Sequence, residues 1–384
     1  MRNSLTEPFN MNKSEDLLER LFMPILFLFQ LTGMEAMPYP HSINGNKIFR
    51  FVWNSPKYAF QVILFLNVVT QSMWLVFVSR RQSDWAMLII TLLQMSVYIS
   101  LLRSREKIRL LLKKLSKISK LFLSARRWRI LKISMIIYCL IIFIMFIINQ
   151  IGYVCTKAKK YQHCQIQKSA TVPEELKEHF FFITDILWIS TVVMTYGIVG
   201  CFVGYYFFLC ICLKSCFTKF ILKSESLILQ CDYQRILSIY EDISQVMALA
   251  NEFLSYPAFI IVLCNTSAVF GFSYRIAFHP SNDIKIYSLL IYGVLQNIIV
   301  LLLLMIPAAG CNRALNKAQD TVKSLPGWLP QHRKVLKMYY RQKHRKTFPM
   351  TLWNIYVIDE SLLISIFGTI LTYGFLVGNI KISN

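Results

Sequence analysis

Seven long apolar runs constrain this chain more than any other feature of it. Residues 58–79, 85–102, 130–154, 180–213, 253–278, 286–310 and 356–380 are rich in Leu, Ile, Val and Phe and carry few charges. About 20 apolar residues cross a hydrocarbon core roughly 30 Å thick, so each run can span a bilayer as a helix. Lipid offers no partner to a backbone N–H or C=O, which leaves helices and closed barrels as spanning structures. These runs are too continuously apolar for barrel strands, whose residues alternate between lipid and lumen. The expected fold is therefore all-α, an integral membrane bundle of seven transmembrane helices. The 180–213 run exceeds what a bilayer requires and is expected to tilt or to continue as a helix beyond it. Charged residues make up 16% of the chain, below the roughly 25% of soluble domains, which agrees with lipid as the solvent.

The formal charge of +22 raises nucleic acid as a partner, and the placement of that charge argues against it. Of the 42 Lys and Arg, 32 lie in four segments, residues 1–57, 103–132, 214–251 and 311–350. These alternate with segments holding the other ten, the pattern by which positive loops stay in the cytosol during insertion. The N-terminus is expected to be cytosolic and, after an odd number of crossings, the C-terminus extracellular. Arg80 and Arg81 fall on the minority side without changing the balance. A G-protein-coupled receptor has seven spans in the opposite sense, so its cytosolic loops would here be the charge-poor ones.

Three segments outside the spans have character of their own. Residues 21–31 are apolar but short and contain Pro24, so an interfacial or re-entrant helix at the cytosolic face is expected, without a cleavable signal peptide. Residues 103–129 mix Leu110, Leu111, Leu112, Leu115, Ile118 and Leu121 with eleven basic residues, an amphipathic continuation of the second span. That segment reads either as a helix lying on anionic lipid or as a topology determinant with a solvated face. Residues 311–350 break at Pro326, Gly327 and Pro330 into two expected helices. Their large apolar surfaces, Trp328, Tyr339 and Tyr340, either join subunits or pack on the chain's own spans.

No enzyme constellation is present. The chain has no H-E-x-x-H, no G-x-S-x-G, no phosphate-binding glycine loop and no clustered histidines, so neither a catalytic residue nor a cofactor is expected. Cys210, Cys212 and Cys216 lack C-x-x-C spacing and read as packing or palmitoylation positions, so no metal site is expected. Cys155 and Cys164 bracket eight residues of an outer loop, a compartment that permits a disulfide. Asn265-Thr266-Ser267 is a glycosylation acceptor inside the fifth span and is expected to go unused. Asp185 stands in the outer third of the fourth span. A carboxylate there either faces a functional cavity or is hydrated at headgroup depth. Large rings share the outer halves of the spans, among them Tyr153, Phe182, Trp188, Tyr274, Tyr287 and Tyr292. They form an interfacial belt, or a subset lines an apolar pocket for a small molecule.

The last span is the most patterned. At about 100° per residue, Ser361, Ser365, Thr372, Leu376 and Asn379 share a stripe about 60° wide. Such a stripe suits a water-lined path. The alternative is that its hydroxyls back-bond to their own helix and face neighbouring spans. Gly374 and Gly378 lie nearly opposite and permit close approach of another helix.

Residues Ile358-Asp359-Glu360-Ser361-Leu362-Leu363-Ile364-Ser365 through Thr372-Tyr373 resemble the last span of arthropod gustatory receptors. That span ends in Thr-Tyr, five mostly apolar residues and Gln-Phe. Here Thr372-Tyr373 is followed by five residues and Asn379-Ile380, with Asn at the Gln position and Ile at the Phe position. Residues 246–278, with Asn251, Phe253 and Tyr274, look like that family's fifth span. The resemblance implies an insect chemoreceptor-like tetrameric channel subunit, a ligand-gated non-selective cation channel opened by a small-molecule tastant. It implies a homo- or hetero-tetramer with related subunits in the plasma membrane of chemosensory neurons, passing monovalent cations and, as a further candidate, divalent ones. Residues 1–57 are then a cytosolic N-terminus, 58–310 the ligand-binding spans, 311–355 a cytosolic anchor, and 356–384 the pore-lining span with a short extracellular tail. Leu376 and Ile380 stand at the family's gate, Asn379 at its Gln, and Thr372 and Ser365 along the path. An odorant receptor of the same superfamily is the near alternative. A secondary transporter would show internal repeats and ionisable midplane residues, which this sequence lacks.

The charge asymmetry makes the orientation testable. A tag before Met1 is expected to be reached by antibody only after permeabilisation, and one after Asn384 on intact cells. Labelling of the N-terminal tag on intact cells would overturn the assignment.

Overall fold

The computed structural model describes residues 12–33, 47–77, 82–122, 125–155, 174–278, 284–343 and 348–382. The helices are α1 (Asn12–Leu31), α2 (Lys47–Phe77), α3 (Gln82–Arg103), α4 (Arg105–Phe122), α5 (Ala125–Cys155), α6 (Glu174–Met194) and α7 (Cys201–Leu229). They continue with α8 (Tyr233–Phe278), α9 (Ile284–Trp328), α10 (Arg333–Lys343) and α11 (Glu360–Ile382). A π-helical turn, Thr195–Gly200, joins α6 to α7, and a 3-10 turn, Pro330–His332, precedes α10. Between α10 and α11 lies a small antiparallel hairpin, β1 (Thr351–Leu352) and β2 (Tyr356–Val357).

The seven apolar runs fall in order on α2, α3, α5, the α6–α7 unit, α8, α9 and α11, and the chain is a multi-pass membrane protein. Among the described residues, four helices are long and apolar enough to cross a membrane, and the bent α3–α4 pair offers a fifth. Tyr58–Met73 of α2 and Glu360–Thr372 of α11 are shorter apolar stretches. The fourth run does continue beyond a bilayer's thickness, as Lys177–Leu229 is one helical course of 53 residues. The last helix begins later than its apolar run. Tyr356, Val357 and Ile358 belong to the hairpin and its exit, and the Asp359 carboxylate caps α11 by accepting the Leu362 N–H at 2.8 Å.

The helices sort into two environments. Only 6% of the apolar stretch of α5 is covered by protein, against 67% in α8, so among the four long spans α5 is the one most given over to lipid. The densest core lies instead in α7, α8 and α9, where Tyr205, Tyr206, Leu209, Leu213, Leu254, Ala258, Ile261, Leu304, Met305 and Ala308 are buried within the apolar runs, and it continues where these helices run on past them. There Phe217 and Phe220 meet Ile236, Tyr240, Ile243 and Met247 of α8 and Leu315, Ala318 and Val322 of α9.

Two segments are placed by that core. A 60° bend separates α3 from α4, and α4 buries Ile108, Leu111, Leu112, Leu115 and Ile118 against α8, α1 and α7. Its apolar face is therefore used up by protein rather than by a lipid surface, while Lys113, Lys114 and Lys117 face outward. In α1, Leu21, Phe22, Ile25, Leu26 and Phe29 are buried, and the Tyr205 ring lies 5.8 and 5.7 Å from those of Phe22 and Phe29. Gly33 ends this helix in the left-handed region, φ 77°, with its N–H donated to Gln30 O at 3.0 Å.

The α5–α7 contact leaves no room at Gly204. A Cβ there would stand 2.2 Å from Cε1 of Tyr138, whose hydroxyl donates to Gly200 O at 2.8 Å and so cannot swing away freely. Gly204→Ala is expected to cost about 1–3 kcal/mol by overpacking. Gly271→Ala, with no neighbour within 4 Å of its Cβ, is expected to cost far less. Thermal unfolding of the two detergent-purified variants checks the difference.

Candidate functional site

Two polar constellations stand out in this apolar bundle. The first surrounds the π-helical turn. A π turn inserts one residue into the helical ladder and re-aims the side chains that follow, and such turns concentrate at functional sites. Tyr196, on that turn, receives a hydrogen bond from Asn149 Nδ2 of α5. The same amide donates to Tyr292 Oη of α9 at 3.2 Å, and the two tyrosine hydroxyls lie 3.4 Å apart. Tyr292 donates to Met145 Sδ at 3.1 Å, and Phe146 meets the Tyr196 ring edge-on at 6.3 Å. Asn67 of α2 donates to Ser190 Oγ at 2.8 Å and to Thr191 Oγ1 at 2.9 Å, just before that turn, while its own buried Oδ1 has no partner among the described residues. Amides and phenols present donors and acceptors without charge. A cluster of this kind suits a neutral molecule with an apolar body and one or two polar groups.

The residues singled out in the sequence are spread more widely. Asp185 and Trp188 are half-buried on α6, and Phe182 is exposed on the same helix. Tyr274 and Tyr287 sit where α8 ends and α9 begins, with the Tyr287 hydroxyl 3.5 Å from Ile276 O. Tyr153 and Cys155 end α5 with side chains outside the described residues, and Cys164 lies wholly outside them. On α11, Ser361, Ser365 and Thr372 are exposed, and Thr372 back-bonds to Gly368 O at 2.8 Å. The side chains of Tyr373, Leu376, Asn379 and Ile380 are likewise outside the described residues, although the helix runs on through them. Cys210, Cys212 and Cys216 are buried in helix packing.

The second constellation ties α11 to the rest of the chain, and sequence reasoning missed it. Asn312 of α9 is buried and donates from Nδ2 to Met350 O at 2.9 Å and to Ile358 O at 2.8 Å. Its Oδ1 accepts the Met350 N–H at 2.7 Å. One side chain thus clasps both strands at the open end of the hairpin. From α8, Asn251 Oδ1 accepts the Thr351 N–H at 2.8 Å and its Oγ1–H at 2.9 Å, and Asn251 Nδ2 donates to Asn354 Oδ1 at 2.9 Å. The hairpin tip places Trp353 and Asn354 at φ 49° and 56°, closed by the Ile355 N–H on Leu352 O at 3.0 Å. Asn tolerates that conformation and Trp does not, so Trp353 is held there by its surroundings. Its N–H donates to Ser255 O at 3.0 Å, and its ring lies 5.7 Å from Tyr256 and 5.3 Å from Phe259. The Tyr256 and Ser96 hydroxyls share a hydrogen bond at 3.0 Å, which extends the network to α3. Arg313 pairs with Glu360 in the first turn of α11. The Leu362 N–H and the Ser361 hydroxyl hold the Asp359 carboxyl below the usual range for an aspartate.

A model of the family described as 7tm Chemosensory receptor matches residues 24–376. The chain belongs to this family. Two solved structures of the olfactory receptor OR5 from the insect Machilis hrabei share the receptor's fold. The one in complex with eugenol superposes with a TM-score of 0.70 at 12% identity, covering 96% of this chain and 100% of that one. The other gives 0.60 at 12% identity over 95% and 99%. At this identity the likeness is one of fold. No curated protein sequence matches the chain.

The clasp carries a stability consequence. Asn312→Ala strands the Met350 N–H and the Ile358 carbonyl, each worth about 1–3 kcal/mol when left unpaired, while Met350 O keeps the Ile358 N–H at 3.1 Å. The receptor's melting midpoint is expected to fall by several degrees, and by less for Asn251→Ala, whose groups reach solvent. Equal melting of wild type and Asn312→Ala would contradict the clasp.

Proposed function

We propose that this receptor is a subunit of a ligand-gated, non-selective cation channel of the gustatory type, opened by a small-molecule tastant. The observation that supports it best is the two-sided character of α11. One side, with Leu362, Leu363 and Ile366, packs on the core, and the other exposes Ser361, Ser365, Thr369 and Thr372. A membrane helix does not present a row of hydroxyls to lipid without reason. Four copies of that face around an axis would enclose a polar path, with Leu376 and Ile380 forming apolar rings. A narrow apolar ring sheds water, and an ion deprived of its hydration shell does not pass. Asn379 amides beside the rings carry no net charge, in keeping with poor discrimination among cations.

The ligand site in this reading is the Asn149–Tyr196–Tyr292 cluster, with Asp185 and Trp188 on the α6 side. Tyr292 and Asn312 are 20 residues apart on α9, about 30 Å of one helix at 1.5 Å per residue. A shift of α9 at the cluster is thereby carried to the hairpin and to the foot of α11. The channel sits in the plasma membrane of a chemosensory neuron, its N-terminus cytosolic. Residues 311–355 join the subunits of a homo- or hetero-tetramer, and monovalent cations permeate, with divalent ones to be tested. The Thr372-Tyr373 motif favours a tastant. The fold shared with an olfactory receptor solved with eugenol favours the second reading, an odorant receptor.

Whole-cell current under a panel of soluble tastants and of volatile phenols such as eugenol separates the two readings. With whichever compound is active, Tyr196→Phe and Asn149→Ala are each expected to raise the half-activating dose up to roughly tenfold, the worth of a neutral hydrogen bond, with maximal current kept. Parallel loss of surface expression and current would instead make the cluster structural. Leu376→Ser is expected to leak without ligand. A variant that reaches the surface, responds to ligand and stays silent at rest would remove Leu376 from the gate.

A further inference from the structure

The foot of α5 brings together two features that the channel reading leaves unused. Arg126, Arg127, Arg129 and Lys132 are exposed over the first two turns of α5. Directly above them, Ile130, Ile133, Ile136, Ile137, Leu140 and Ile141 begin the exposed ladder of the least covered of the four long spans. Cationic side chains at the point where a lipid-facing surface starts lie at headgroup depth.

The neighbouring helix completes the site. Arg127 Nη1 donates to Ser215 Oγ of α7 at 3.0 Å. Ser215, Lys219 and Lys223 follow at spacings of four and share one face of that helix. Lys223 Nζ stands 5.9 Å from the centre of the Phe122 ring, at the end of α4. Leu222 is exposed beside them. α5 holds no Asp or Glu and α7 holds a single one, Glu225, two residues beyond Lys223, so these six cations meet at most one carboxylate on their own helices. Three of the six are guanidiniums within four residues, and a guanidinium engages phosphate through two parallel N–H bonds.

We propose that the groove between the foot of α5 and α7 binds an inner-leaflet phospholipid whose headgroup carries several phosphates. The acyl chains lie along the isoleucine ladder, the phosphates sit among Arg126, Arg127, Arg129, Lys219 and Lys223, and the excess of cations matches a multiply charged headgroup better than a single phosphodiester. The basic segment between the second and third spans thus meets lipid through the start of α5, while the apolar face of α4 stays in the protein. Placement in the inner leaflet rests on the cytosolic N-terminus proposed above.

Binding is measured on the full chain in neutral phosphatidylcholine nanodiscs, titrated with fluorescent phosphatidylinositol bisphosphate. Saturable binding is expected, weakened roughly a hundredfold by R126Q/R127Q/R129Q, at about fivefold per basic residue near a membrane surface. The control R333Q/K334Q/K337Q, on α10, is expected to leave it unchanged. If the first variant melts early, K219Q/K223Q replaces it, with a weakening of about 25-fold expected. Equal weakening by the control overturns the site in favour of general charge attraction. Equal affinity for phosphatidylserine overturns the multiply phosphorylated headgroup. Equal affinity for free inositol trisphosphate overturns the lipid in favour of a soluble anion. The titration needs neither current nor orientation, so it stands apart from the channel reading. Reversed tag labelling would move the site to the other leaflet without touching the affinity.

Discussion

The carboxamide of Asn312 carries a disproportionate share of this architecture. The hairpin of Thr351–Leu352 and Tyr356–Val357 has two residues in each strand and cannot stand alone, since an isolated hairpin is marginal even when longer. It persists because Asn312 takes up Met350 N–H, Met350 O and Ile358 O in one stroke, and Asn251 takes up Thr351. Everything C-terminal to it inherits its position from those bonds. The α11 helix touches α8 and, more sparingly, α9, so its angle is set at its foot rather than along its length. The strained Trp353 fits the same picture. Its left-handed backbone is kept by Ser255 O and by the Tyr256 and Phe259 rings, all on α8. A displacement of α8 or α9 therefore cannot leave the foot of α11 where it was.

Two solvents shape the rest. Between helices in lipid there is little hydrophobic gain, because the tails are as apolar as leucine. In water the gain is large. The core of α7, α8 and α9 fills the ends of their apolar runs and continues into the extensions beyond, and α4 and α1 fold onto it with apolar faces buried. The outer part is looser, held by hydrogen bonds such as Asn67 to Ser190 and Asn149 to Tyr292. A firm base and a compliant outer half are what the proposed ligand response requires, since local opening is drawn from the least packed regions.

The seven helices were legible because run length and charge leave few alternatives in lipid, and the overlong fourth run was legible for the same reason. What escaped was partner choice. Leu111, Leu112 and Leu115 read the same whether the amphipathic face of α4 meets a bilayer or α8. Leu21, Phe22 and Ile25 look interfacial in sequence and are core in the fold, because Tyr205 lies far away in the chain. Tyr356, Val357 and Ile358 extend the last apolar run in composition, yet their backbone is strand, fixed by Asn312. At the candidate pocket Asp185 drew attention as a charge. A better signal was Asn149, a carboxamide in the midst of isoleucines, since mid-span polar groups seek partners and found two tyrosines.

On the proposed reading, the arrangement also accounts for how such a chain can change what it detects without losing its gate. The polar cluster draws on Asn149, Tyr196 and Tyr292, and the clasp draws on Asn251, Asn312 and the hairpin, so no residue serves both. Only α9 contributes to each, and it does so at opposite ends of one long helix. On the proposed reading, substitutions around Tyr196 would alter hydrogen bonding to a ligand and leave the bonds at Met350 and Ile358 intact. Substitutions at Asn312 would act on the opening equilibrium proposed for α11 whatever the ligand is. A π turn reinforces this separation, since its extra residue lets Tyr196 be re-aimed while α7 below it keeps its register with Gly204 against Tyr138. Recognition would thus be free to drift across the outer half, while coupling would rest on the bonds that Asn251 and Asn312 make to the hairpin.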